Sequence, residues 1–70
     1  MSSNLKNRLR ELRQAGEGMT QQQLADSVGV SRQTIISIES GRYSPSLELA
    51  IKISEQLEQE ITEIFWLESK

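Results

Sequence analysis

Seventy residues with no cysteine make one small domain, near the lower limit of what a single apolar core stabilises without disulfides, metal or a partner subunit. Histidine is absent as well, so the commonest general base, nucleophile and metal ligands are missing, which argues against an enzyme, a metal site or any cofactor. No apolar run approaches the roughly 18 residues that span a membrane, and MSSNLKNRLR lacks the apolar stretch of a secretory leader, so a soluble cytoplasmic protein of net charge −2 is expected.

Ser3 and Asn4 are candidate caps for a first helix in which Leu5, Leu9 and Leu12 recur at the spacing of one apolar face. The turn Ala15-Gly16-Glu17-Gly18 ends it. Thr20 and Gln23 fit a capping box, in which a threonine hydroxyl and a glutamine three residues on satisfy each other's backbone donors. A second helix is therefore predicted from about Gln21 to Val28, with Leu24, Ala25 and Val28 inward. Gly29 breaks it, Ser31 caps a third helix from Arg32 to about Ser40, and Gly41 stops that one. Arg42 to Pro45 form a loop, because proline forbids a continuous helix there.

Ser46 caps a fourth helix. Its apolar residues Leu47, Leu49, Ala50, Ile51, Ile53 and Leu57 spread too widely for a thin stripe, so burial on more than one side is expected. A last short helix, about Ile61 to Leu67, carries Ile61, Ile64, Phe65, Trp66 and Leu67. No segment alternates with period two over a useful length, so no strand is expected. The reading is all-α, five helices in a single domain over residues 1–70.

The informative unit is Gln21 to Ile38. Two helices crossing steeply at a short turn need a small residue where the backbones approach, a glycine for the left-handed turn and aliphatic side chains to lock the angle. Ala25, Gly29, Val28, Val30, Ile35 and Ile38 meet those demands. The stretch TQQQLADSVGVSRQTIISIESGRYSPSLELAIKI resembles the helix-turn-helix of the phage repressor and Cro family, the lambda-repressor-like or Xre-type domains. That resemblance implies a five-helix DNA-binding domain whose motif occupies about residues 21–40 and whose third helix lies in the major groove.

At about 100° per residue, Ile35, Ile38 and Glu39 share the inward arc of the third helix, whereas Gln33, Ser37 and Ser40 point outward, flanked by Arg32 and Thr34. Gln33 suits adenine, Arg32 guanine, and the hydroxyls of Thr34 and Ser37 suit several bases. These four are the candidate base contacts. Gln21 and Gln22 sit where a helix N-terminus favours a phosphate, and the resemblance implies that Gln21 also braces the recognition helix. Thr20, Ser31, Ser40, Arg42 and Tyr43 complete the candidate backbone contacts, with Tyr43 alternatively covering the core. Lys6, Arg10 and Arg13 form either a phosphate-facing stripe or a solvated face. In the family an arginine late in the first helix pairs with a glutamate at the position of Glu39, so Arg13 and Glu39 are expected to form a structural ion pair. Ile36 lies between the two arcs, set either to pack on the 42–45 loop or to meet a thymine methyl. Two departures from the family pattern stand out: a turn around Glu17 one residue longer, and Glu58 where a glycine ends the fourth helix.

Charge is distributed unevenly. Residues 1–43 sum to +2 and residues 44–70 to −4, so the acidic balance lies behind the reading surface. Ile64 and Phe65 are expected to complete the core, and Phe65, Trp66 and Leu67 are the candidate dimerisation residues within 61–70. The expectation is a transcriptional regulator, a repressor, binding double-stranded DNA as a homodimer on a palindromic operator. No membrane and no small-molecule ligand are expected as partners. The competing reading is an antitoxin-like or adaptor module that keeps the fold and binds protein instead.

Overall fold

The computed structural model describes residues 4–68. In chain order the elements are β1 (Leu5–Asn7), α1 (Leu9–Gln14), α2 (Gln21–Val28), α3 (Arg32–Glu39), α4 (Leu47–Leu57), α5 (Ile61–Ile64) and β2 (Phe65–Leu67). Five helices are present among the described residues, as the sequence predicts. The termini differ: β1 and β2 pair antiparallel, with Leu5 opposite Leu67, Lys6 opposite Trp66 and Asn7 opposite Phe65.

That pairing corrects both ends of the helical reading. The first helix begins at Leu9 rather than near Leu5, and the last ends at Ile64 rather than Leu67. Ser3 lies outside the described residues, and Asn4 caps no helix; its carbonyl accepts from the Glu68 N–H at 2.9 Å. Arg8 holds the cap position without a side-chain bond, and Asn7 just before it supplies one, its Oδ1 accepting from the Leu9 N–H at 3.0 Å. Three-residue strands are too short to display a period of two, and each takes its backbone partner from the far end of the chain.

The internal boundaries follow local chemistry. Thr20 Oγ1 accepts from the Gln23 N–H at 3.0 Å while Gln23 Oε1 accepts from the Thr20 N–H at 2.9 Å, so both halves of the capping box form. Ser31 and Ser46 cap α3 and α4 through the N–H groups of Thr34 and Leu49. Gly29 closes α2 at a φ of 77°, a backbone conformation that costs a side-chain-bearing residue about 1–2 kcal/mol. At the end of α3 the Gly41 N–H reaches the Ile38 carbonyl at 3.0 Å and the Arg42 N–H reaches that of Ser37 at 3.0 Å. This is the paired Schellman pattern, with Gly41 left-handed at φ 82°.

The core comprises Leu9, Leu24, Ala25, Val28, Ile35, Ile38, Leu49, Ala50, Ile53, Ile64 and Phe65. Phe65 is 6% exposed, so it fills the core and does not form the surface patch also assigned to it. The fourth helix likewise buries one face only. Leu49, Ala50 and Ile53 are buried and Leu57 packs against them, whereas Leu47 is 73% and Ile51 39% exposed. Leu47 and Ile51 form a second stripe, displaced from Leu49 and Ile53 by two residues or about 200° around the helix. No helix among the described residues is long and apolar enough to cross a membrane.

Glu58 ends α4 at φ 58° and is the only side-chain-bearing residue among those described with positive φ. Replacing it with glycine removes the Cβ penalty, partly offset by the entropy of a freer unfolded chain. Glu58→Gly is expected to stabilise the protein by about 1 kcal/mol, a rise in Tm of roughly 4–8 °C for a domain of this size. Glu58→Ala removes the same charge but keeps Cβ, and should gain less in the same circular-dichroism melt.

Candidate nucleic-acid interface

Three helices meet at Glu39. Its side chain is 7% exposed and that of Arg13 6%, so neither charge is left to water. Arg13 Nε donates to Glu39 Oε2 at 2.6 Å and Nη2 donates to Oε1 at 3.2 Å, a two-pronged fit that planar guanidinium and carboxylate groups allow. Arg13 Nη1 donates to the Met19 carbonyl at 2.8 Å. Gln21 Nε2 donates to Glu39 Oε1 at 3.1 Å, and Gln21 Oε1 lies 3.4 Å from Arg32 Nε. The chain Arg13, Glu39, Gln21, Arg32 thus runs from α1 through the inner face of α3 to α2 and back to the N-terminus of α3. No buried side-chain polar atom among the described residues lacks a partner.

With its inner arc anchored, α3 turns the opposite arc outward. Arg32, Gln33 and Ser40 are exposed, and Thr34 and Ser37 are half-buried. Gln33 makes no side-chain hydrogen bond among the described residues. Ser31 and Thr34 hold each other, their hydroxyls 3.0 Å apart, and Ser40 Oγ donates to the Ser37 carbonyl at 3.1 Å. Ile36 is half-buried and stands outside the core and the apolar residues packed on it.

Beside α3, one open cleft is lined by Thr20, Gln21, Gln22 and Arg32 together with Arg10. The structure therefore brings the α2 N-terminus and the first residue of α3 to one surface. Some of that polarity is already used: the Thr20 hydroxyl belongs to the capping box, and Gln22 Nε2 donates to Asp26 Oδ1 at 2.8 Å. Arg42 and Tyr43 follow α3 and are exposed, Tyr43 at 48%. Tyr43 lines a separate groove with Thr34 and Leu49.

The basic stripe drawn on the first helix does not survive. Lys6 lies on β1, where it pairs with Glu68 at 3.5 Å in an exposed bridge that contributes little. Arg13 is buried, which leaves Arg10 alone as an exposed cation of α1 on the cleft. Of the candidate dimerisation residues, Trp66 is 38% and Leu67 75% exposed, and the Arg8 guanidinium lies 5.3 Å over the Trp66 ring. Sequence reasoning missed Asn7, whose Nδ2 donates to the Ile38 carbonyl at 3.0 Å. Its only local signal is a capping residue two positions before Leu9.

Among known proteins, residues 9–64 match the family described as helix-turn-helix. The chain is 46% identical over 66 residues to the uncharacterized HTH-type transcriptional regulator YgzD of Bacillus subtilis, covering 94% of this chain and 98% of that protein. It is 58% identical over 52 residues to an uncharacterized HTH-type transcriptional regulator of Methanothermobacter thermautotrophicus, covering 73% and 75% of the two chains. Among solved structures, the restriction-modification controller protein C.AhdI of Aeromonas hydrophila superposes with a TM-score of 0.73 at 38% identity, covering 80% of each chain.

Removing one member of a buried ion pair strands the other charge, at a cost of about 3–5 kcal/mol. Arg13→Met and Glu39→Leu are each expected to lose about that much stability in urea unfolding. The double variant should lose clearly less than the two losses combined, giving a favourable coupling energy. Additive losses would mean that the two side chains act independently.

Proposed function

The chain belongs to the helix-turn-helix family and is a DNA-binding transcriptional regulator, and on that premise we propose that it is a cytoplasmic repressor binding a palindromic operator as a homodimer. The recognition helix is α3 with Ser40, laid in the major groove. One observation carries this reading: Gln33 stands exposed and unengaged on the outer arc of a helix whose inner arc is fixed by the buried Glu39. A carboxamide held out in this way can pair with adenine through two hydrogen bonds, worth roughly 1–3 kcal/mol of discrimination. Arg32, one residue earlier, suits the two acceptors of guanine, and Thr34 and Ser37 offer hydroxyls to neighbouring base edges. Backbone contacts fall to Thr20, Gln21, Gln22 and Ser31 at the helix N-termini and to Ser40, Arg42 and Tyr43 behind α3. Arg10 joins them from the cleft.

The dimer rests on two arguments. A single module of this kind covers only about 600–1,000 Å² of DNA contact, and two such modules related by a two-fold axis meet half-sites about one helical turn apart. Two exposed apolar patches can serve as the seam, Trp66 with Leu67 on β2 and Leu47 with Ile51 on α4. A charge in the seam should give a monomer with weakened operator affinity. Sedimentation of Leu67→Glu and Ile51→Glu therefore locates the interface, and a wild-type chain that sediments as a monomer removes the homodimer.

Selection of bound sequences from random duplex DNA should return a two-fold symmetric site. Binding to it should weaken steeply with salt, because phosphate contacts release counterions. Gln33→Ala is expected to keep the wild-type melt and the salt slope while losing preference at one base pair per half-site. An unchanged consensus for this variant would sink the assignment. A wild-type chain that enriches no sequence points instead to the protein-binding module.

A further inference from the structure

The recognition helix has two ends, and the contacts described so far explain only part of how they are held. Its N-terminus has the Ser31 cap, and its last turn has Glu39 on the inner side and the Gly41 turn in line. The Ile38 carbonyl lies in that last turn and has two lone pairs. One accepts the Gly41 N–H and the other accepts Asn7 Nδ2, each at 3.0 Å. Asn7 belongs to β1 and is half-buried opposite Phe65 of the core. The other end of the same carboxamide, Oδ1, accepts the Leu9 N–H that opens α1.

From this arrangement we propose that Asn7 is a positioning residue for DNA reading, fixing the C-terminal end of α3 against the start of α1 and the terminal sheet. The inference rests on α3 being the reading helix. A primary amide is the side chain that can do both jobs, since it offers an acceptor and a donor a fixed distance apart. A short helix pivots about whichever end is loose. Base contacts such as those of Arg32 and Gln33 tolerate only about 0.5 Å or 10–20° of error. Loss of the hydrogen bond to Ile38 therefore acts on the base contacts without touching DNA.

The two roles of the amide can be separated. Asn7→Asp keeps an acceptor for the Leu9 N–H, favoured by the helix dipole, but puts an oxygen where the donor to Ile38 stood. Asn7→Ser keeps a capping hydroxyl without charge and is too short to reach the Ile38 carbonyl. Both variants are compared with the wild type on the operator selected from random duplexes and on a scrambled duplex. The temperature is one at which circular dichroism shows each variant folded. Operator affinity is expected to fall about tenfold, the size of one weakened base contact, while affinity for the scrambled duplex and its salt slope stay at the wild-type values. A purely structural cap would leave the ratio of the two affinities unmoved, so a wild-type ratio in both variants overturns the role of Asn7 alone. A wild-type protein with no operator preference overturns the reading by α3 and this inference with it.

Discussion

The structure depends on one buried carboxylate. Glu39 holds α1 through Arg13 and α2 through Gln21, from the inner arc of the helix that carries the candidate contacts. Apolar side chains would fill the same volume, and replacing buried pairs with them is often neutral or stabilising. What they lack is direction. Hydrophobic burial scales with area and is indifferent to rotation, whereas the guanidinium and carboxylate planes admit one mutual orientation with two short bonds. The third guanidinium contact, to the Met19 carbonyl, brings in the α1–α2 turn. Four chain segments are thereby oriented by one ion pair, in a domain whose apolar core is small for the task.

Charge outside that site is partitioned. Arg10 and Arg32 line the cleft at the N-terminus of α2, whereas Glu55, Glu58, Glu60 and Glu63 line a different groove where α4 meets α5. The longest dimension of the fold is 34 Å, several times the screening length of about 8 Å at physiological salt. A net charge of −2 is therefore a poor guide to the field at α3. Close contacts sense the local cations, and the acidic end contributes mainly to solubility and to approach at low salt.

The legibility of the chain follows the range of each interaction. The Thr20–Gln23 box, the Ser31 and Ser46 caps and the Gly29 and Gly41 turns are settled within a few residues, and their boundaries were readable directly. Glu58 was flagged only through the resemblance, whose pattern has a glycine where it stands, and its left-handed backbone shows why. The strands were not, because Leu5 fits the spacing of the Leu9 and Leu12 helix face and only a partner at the other terminus pulls it out of that helix. Leu47 and Ile51 misled through a count of apolar residues that ignored phase: six apolar positions in α4 divide between two faces, and the core needs one. The partnership of Arg13 with Glu39 came from resemblance to a family, since nothing in the sequence itself links a residue of the first helix to one of the third. Asn7 lay beyond reach because its target is a backbone carbonyl 31 residues away.

The terminal sheet is more than a seal on the core. β2 carries the exposed Leu67 and the Arg8-covered Trp66, and its neighbour β1 carries Asn7. Two further bonds close the same seam, Arg8 N–H to the Ile64 carbonyl and Glu68 N–H to the Asn4 carbonyl, each at 2.9 Å. Three-residue strands have little stability of their own, so the seam is expected to open more readily than the helical core. When it opens, Asn7 leaves with it and the Ile38 carbonyl loses one of its two donors. The last turn of α3 is thus held by strands at the chain ends as well as by the Glu39 bonds and the Gly41 turn, and not by the helix propensity of α3 alone.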